Sequence, residues 1–219
     1  MSTSRTTPSR PSNGPDPKVI GGVVVGVLVL LVASIVFVTS GGDDADTASV
    51  DPKLEYGIIT AKGDRLPTMP EVGDDPAVGL VAPSVVSERS VGQVRLEPGV
   101  DDQPTMVVFL AHWCPHCQAE LPLLVQMDAD GAFDGVRSVA VLTNTTEARP
   151  NFPPSSWLDD EGWTGDRLFD DAEASAASAY GLASFPMMVF LDAEGTVVER
   201  LTGEQPADAI AAAVAAITA

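Results

Sequence analysis

The sequence predicts an α/β domain carried behind a single membrane-spanning helix. Three observations lead there. From residue 104 onward, continuous apolar runs alternate with segments of helical spacing, in the order β-α-β-α-α-β-β-α. Residues 19–38, VIGGVVVGVLVLLVASIVFV, hold no charge over 20 positions, about the length a helix needs to cross a hydrocarbon core. Both cysteines and both histidines of the chain lie between His112 and Cys117, so its most reactive side chains converge on one strand-to-helix junction.

Residues 1–18 are polar, rich in Ser, Thr and Pro, the composition of a disordered tail. The apolar segment that follows, taken as 19–39, exceeds the roughly 7–15 apolar residues of a secretory signal. It is expected to be an uncleaved signal anchor rather than a cleaved leader. No cysteine stands directly after it, the next being Cys114, which excludes a lipid-modified cysteine as the anchor. Arg5, Arg10 and Lys18, against Asp16, precede the span, and the acidic SGGDDAD follows it. The positive-inside rule then puts the tail in the cytoplasm and everything after residue 39 outside. The expected location is the cytoplasmic membrane, single-pass, with the N-terminus inside. Gly22 and Gly26 make a GxxxG, which either pairs two helices or is incidental among valines. Residues 40–75 are expected to be a flexible, acidic linker and extension, and 76–219 the folded domain.

Residues 54–103 are rich in Gly, Pro and Val, with short extended runs such as YGIIT and GQVRL, which predict one or two short strands. TMVVFLA is a buried strand, and CPHCQAELPLLVQMDA changes to helical spacing with Leu121, Leu124, Val125 and Asp128 one turn apart. VRSVAVLT is a second buried strand. SSWLDDEGW begins with serines suited to N-capping and predicts a helix. EASAASAYGL is a helix closed by Gly181, and PMMVFLDAEGTVVERLTG is two strands around Asp192–Gly195. PADAIAAAVAAI is a terminal helix with Pro206 in its first turn.

Hydrophobic residues make up 45% of the chain, enough for a buried core. The formal net charge of −19 repels nucleic acid, so no nucleic-acid partner is expected. Beyond that, the acidity describes a solvated surface. Two cysteines are too few for a disulfide scaffold. Their C-x-x-C spacing leaves a redox pair, half of a metal site, or a haem attachment. Gln118 directly follows the second cysteine, where a c-type haem needs histidine.

Cys114 falls where the strand ends and the helix begins. The unpaired first N–H groups and the positive end of the helix dipole stabilise a thiolate there. Pro115 suits a first helical position, which needs no N–H. Cys117 lies one turn deeper on the same face. Cys114 is therefore expected to be the exposed nucleophile and Cys117 the more buried resolving thiol. His116 is expected to donate to the Cys114 sulfur or to add positive charge, which stabilises the reduced form and leans the couple toward an oxidant. A zinc or copper site would draw on His112, Cys114, His116 and Cys117, but four ligands so close together, with a proline at a helix start, crowd a tetrahedral ion. No metal and no cofactor is expected. His112 is read as a rim residue.

WCPHC after a buried strand, Pro122 in the following helix, the CxxCxxExP spacing of Cys114, Cys117, Glu120 and Pro122, and Ser184-Phe185-Pro186 before a strand occur in that order. On these features the chain resembles the thioredoxin-fold superfamily, and within it the membrane-anchored TlpA/ResA-like thiol–disulfide oxidoreductases, over roughly 76–217. The resemblance implies a thioredoxin fold, a central mixed sheet flanked by helices, with a short N-terminal strand or hairpin like DPAVGLVAPSVV. It implies a redox-active Cys114–Cys117 disulfide and a proton-handling Glu120. Trp113 would shield one side of that disulfide. Pro186 would be a cis-proline facing it, offering backbone to an extended substrate beside Phe185.

There are departures from the family pattern. Val108 stands where thioredoxins proper carry a buried Asp, which leaves Glu120 or water to accept the Cys117 proton. Phe185 replaces the usual Thr or Val before the cis-proline, so substrate preference stays open. Pro115-His116 is the DsbA-type dipeptide, whereas TlpA/ResA-like reductases more often carry Glu-Pro or Pro-Pro. No long DsbA-type helical insertion is present.

The expected function is a tethered thiol–disulfide oxidoreductase that exchanges disulfides with exported cysteine-containing proteins and is regenerated by a membrane redox partner. The alternative is a copper- or zinc-binding delivery or assembly factor on the same scaffold. A peroxidase ranks last, because the resolving cysteine has the wrong spacing for it.

Overall fold

The computed structural model describes residues 52–100 and 102–219. The expected tail, the expected span and residues 40–51 of the expected linker lie outside the described residues. Among those described, no helix is long and apolar enough to cross a membrane.

After a 3-10 turn at Pro52–Glu55, the chain forms β1 (Ile58–Lys62), β2 (Ser84–Arg89), β3 (Gly92–Leu96), β4 (Thr105–Leu110) and α1 (Pro115–Ala129). β5 (Arg137–Leu142), α2 (Pro154–Glu161), β6 (Asp166–Phe169) and α3 (Ser175–Ala179) follow. The chain closes with β7 (Met187–Leu191), β8 (Val197–Thr202) and α4 (Ala207–Ile217). The main sheet has five strands in the order β6-β5-β4-β7-β8. β4, β5 and β6 run parallel, while β7 is antiparallel to β4 and β8 antiparallel to β7.

β4 and β7 are buried at every position. That explains their unbroken apolar runs: a strand covered on both faces has no solvent side to mark with polar residues. Alternation assigns their side chains to two cores. Met106, Val108, Leu110, Met188 and Phe190 pack with α1, α2 and α4. Val107, Phe109, Met187, Val189 and Leu191 pack with α3 and with Val85 and Leu96 of a smaller sheet, β1-β2-β3. The domain is therefore an α/β thioredoxin-like fold built on a mixed sheet. The β7–β8 hairpin turns at Asp192, whose Oδ1 accepts the N–H groups of Glu194 (3.1 Å) and Thr196 (2.7 Å).

Several local expectations are corrected. DPAVGLVAPSVV is not a separate hairpin. Within it, residues 76–79 form a turn, and the Gly79 and Ala82 N–H groups reach the carbonyls of Val197 (2.8 Å) and Gly195 (3.0 Å). Its last residues begin β2, the middle strand of the small sheet. The expected short strands are present, β1 overlapping YGIIT and β3 coinciding with GQVRL, so part of the 40–75 stretch is ordered strand rather than linker. That stretch is also tied down by Asp75, whose carboxylate accepts from Arg200 Nε at 2.8 Å and also from Nη2. Burial pushes the Asp75 carboxyl up, but the Arg200 guanidinium and the Ala77 N–H outweigh it and hold the group below its ordinary range. β6 was not expected, because an edge strand of four residues, DRLF, carries too little apolar pattern to stand out.

The start of α2 departs from expectation in an informative way. Pro153 occupies its N-cap, and no serine caps it. Glu55, 100 residues earlier and buried, accepts the Ser155 N–H at 2.9 Å and the Ser155 hydroxyl at 2.7 Å. A carboxylate from outside the helix thus satisfies a free N–H at its positive end.

Candidate active site

β4 delivers the chain to Ala111, whose carbonyl accepts the Cys114 N–H at 2.9 Å. Cys114 has extended backbone (φ −78°, ψ 121°) and is the N-cap of α1, with Pro115 at the first helical position. Its own carbonyl accepts the Gln118 N–H at 3.0 Å, the first bond of the helix. Cys117 then falls on the stripe of α1 that faces the core, with Glu120, Leu121, Leu124 and Met127.

Both cysteines are free thiols. Cys114 is 6% exposed and Cys117 0%. The order of accessibility matches expectation, but Cys114 is buried rather than exposed. The rings of Trp113 and Phe185, 6.2 Å apart and edge-on, pack against the cluster that contains both sulfurs. Burial pushes the Cys117 thiol far above its ordinary range. The adjoining Cys114 and the carboxyl of Glu120 raise it further, against a contrary contribution from the Ala111 backbone.

Glu120 is 2% exposed, so it sits in the core-facing stripe and not on a solvated helix face. Its Oε2 accepts the Gln205 N–H at 3.0 Å. Its Oε1 has no partner among the described residues. Burial raises its carboxyl above the usual carboxylate range, the Gln205 N–H partly offsets this, and Glu204 adds to the rise.

His116 is exposed, and its Nδ1 lies 2.6 Å from Glu204 Oε1. The expected donation to the Cys114 sulfur is not what the structure shows. His112 is 1% exposed. Its Nε2 accepts the Thr146 N–H at 3.2 Å, so the proton sits on Nδ1, which donates to the Pro150 carbonyl at 2.7 Å. Burial lowers its basicity, opposed by the Pro150 carbonyl and by Glu55. His112 is thereby a neutral brace for the 144–153 loop. Both of its nitrogens are engaged and His116 pairs elsewhere, so the four side chains weighed as a zinc or copper set are not brought together.

The same loop holds Trp113. The indole Nε1 donates to the Asn144 carbonyl at 2.8 Å, and the Arg149 guanidinium lies 5.4 Å from the ring centre. Across the site, the Phe185–Pro186 bond is cis, as the resemblance implies. The Pro186 carbonyl accepts the Gly203 N–H at 2.8 Å. The structure therefore gathers Cys114, Cys117, Glu120, Trp113, Phe185 and Pro186 at the head of α1, with His116 turned outward. Sequence reasoning missed Glu204, Gln205, Asn144 and Arg149, which reach the site from distant loops. Their only mark in the sequence is membership of turn-like stretches.

The family model for a thioredoxin-like domain matches residues 99–218. The chain belongs to that family. Among thioredoxin-like relatives, it is 30% identical over 128 residues to a thiol:disulfide interchange protein DsbE homolog of Paracoccus denitrificans, covering 58% of this chain and 66% of that one. It is 25% identical over 113 residues to nucleoredoxin of Bos taurus, covering 51% of this chain and 26% of the relative. The chain thus spans about a quarter of the bovine protein's length. A crystal structure from Chlorobium tepidum, described as a candidate thiol:disulfide interchange protein DsbE, shares the fold. It has a TM-score of 0.54 at 23% identity, covering 65% of this chain and 98% of that one. The chain thus carries a thioredoxin-like domain similar to that of thiol:disulfide interchange proteins.

Proposed function

We propose that this protein exchanges disulfides with exported, cysteine-containing proteins through Cys114 and Cys117, from a position tethered outside the cytoplasmic membrane. One observation carries the chemistry. A buried, partly unpartnered Glu120 lies one turn beyond a fully buried Cys117, which in turn lies one turn beyond a cysteine at a helix N-terminus.

In the reducing direction, the Cys114 thiolate attacks a substrate disulfide and expels one substrate thiolate. Glu120 takes the proton of the Cys117 thiol. The Cys117 thiolate then attacks the Cys114 sulfur and expels the second substrate thiolate. Two electrons pass to the substrate, and the Cys114–Cys117 disulfide remains for a membrane redox partner to reduce. The oxidising direction is the reverse. Glu120 is needed because burial leaves Cys117 a poor acid and keeps water from it. Its raised carboxyl is a better base than an ordinary one. Trp113 and Phe185 flank the sulfurs as apolar walls for substrate. Pro186 has no N–H and its carbonyl is taken, so Phe185 is the neighbour that offers backbone to an extended segment. The uncharged run at 19–39 supplies the tether.

The pairing of His116 with Glu204 moves the reading of direction. A histidine that expends its charge on a neighbouring carboxylate does less to stabilise a Cys114 thiolate. The couple is accordingly more reducing than its dipeptide alone suggests.

Substituting Cys117→Ser in the full chain tests the exchange. Mixed disulfides with exported proteins should accumulate on Cys114, run as thiol-sensitive bands in the membrane fraction, and vanish in the Cys114→Ser variant. A membrane fraction without such adducts refutes the proposal.

A further inference from the structure

The turn that follows β8 touches three separate parts of the site with three consecutive residues. The Gly203 N–H donates to the carbonyl of cis-Pro186 at 2.8 Å. Glu204 Oε1 holds His116 Nδ1 at 2.6 Å. The Gln205 N–H donates to Glu120 Oε2 at 3.0 Å. The turn is itself braced, because the Gln205 side-chain amide donates to the Thr202 carbonyl at 2.7 Å. Gly203 has φ +74°, a backbone that favours glycine, and this conformation sends the next two residues back toward α1.

We infer that Glu204 is a positioning residue that sets the redox potential, by holding His116 through Nδ1 and cancelling its charge before that charge reaches Cys114. This rests on the thiol–disulfide reading above. A cation beside a thiolate stabilises the reduced dithiol and makes the couple a stronger oxidant. Here the imidazole that would supply that cation on protonation has a carboxylate in direct contact and turned toward it. The sequence between the cysteines therefore does not fix the potential alone; a residue 88 positions away in sequence counters it.

Size follows from exposure. The side chains of His116 and Glu204 are 65% and 52% exposed, so their contact is screened. Exposed pairs of this kind shift an equilibrium by about two- to fivefold. For a two-electron couple that is about 10–20 mV, at 29.6 mV per tenfold.

The test uses four full-length proteins: the native chain, Glu204→Gln, His116→Gln and the double variant. Each is equilibrated at pH 7 with reduced and oxidised glutathione, and the dithiol–disulfide constant is read by alkylation and mass. Glu204→Gln should shift the constant about two- to fivefold toward stronger oxidant. In the His116→Gln background the same substitution should shift it by less than half as much. An unshifted constant in the single variant overturns the inference. So does a shift of equal size in the His116→Gln background, which would mean that the Glu204 charge acts without the histidine. A native chain that forms no reversible Cys114–Cys117 disulfide would instead overturn the proposed function, so the two failures are distinguishable.

Discussion

Replacing Glu120 with glutamine should slow one half of the reaction and spare the other. Glutamine matches the shape of glutamate, and its amide oxygen can still accept the Gln205 N–H that now reaches Oε2 at 3.0 Å. The turn after β8 therefore stays in place, and what disappears is the group that can take a proton. Cys117 is 0% exposed and its thiol is pushed far up by burial, so bulk water is a poor substitute base. A positioned general base is worth about 10²–10⁴ in rate. With Glu120 one helical turn from the sulfur, and part of the charge environment that raises it, a loss of about 10² is expected in the resolving step. The assay mixes reduced protein with a nitrobenzoate disulfide and follows the coloured thiolate in a stopped flow. The first release reports attack by Cys114 and should be unchanged. The second reports Cys117 and should slow about a hundredfold. In the native chain that second phase should rise with pH through a titration above the ordinary carboxylate range, the direction in which burial moves Glu120. The variant should lose that inflection. Equal second phases with equal pH profiles would refute the role of Glu120.

Other predictions concern stability. Because the Glu120 carboxyl is raised in the folded state, its favourable contribution is present below the unfolded carboxyl's pKa, about 4.3, and is lost as pH rises through the folded value. Thermal melts should therefore show Glu120→Gln more stable than the native chain at pH 7, with the advantage gone near pH 3. Asp75→Ala strands the Arg200 guanidinium, whose side chain is 0% exposed. Urea unfolding should show a loss of about 3–5 kcal/mol. Glu55→Ala removes the carboxylate that accepts the Ser155 N–H at the start of α2 and should cost about 1–2 kcal/mol, whereas Ser156→Ala should cost nothing measurable, because no serine caps that helix.

What the sequence revealed, and what it hid, follows from the range of the interactions. β4, β7 and α1 are legible because full burial or a core-facing stripe writes itself into consecutive residues. The junction at Cys114 is legible for the same reason: strand end, proline and one-turn spacing are all local. Glu120 could be placed one turn from Cys117, but not which way it faced. β6 escaped because four residues at a sheet edge leave almost no pattern. The cap of α2 was misassigned to nearby serines because Glu55 arrives from 100 residues away. The contact between His116 and Glu204 is of the same kind. No local pattern predicts which charged residue a turn will bring to the head of a helix, and that contact redirects the reading of the dipeptide.

The central claim, that Cys114 and Cys117 form one redox centre, is tested most directly by redox titration of the full 219-residue chain in glutathione buffers. Alkylation and mass would count free thiols at each potential. A single reversible two-electron transition between dithiol and intramolecular disulfide is predicted. Its midpoint should be more reducing than about −120 mV, the value of a strongly oxidising DsbA-type dithiol. Two thiols that titrate independently, or that never join across the accessible range, would contradict it.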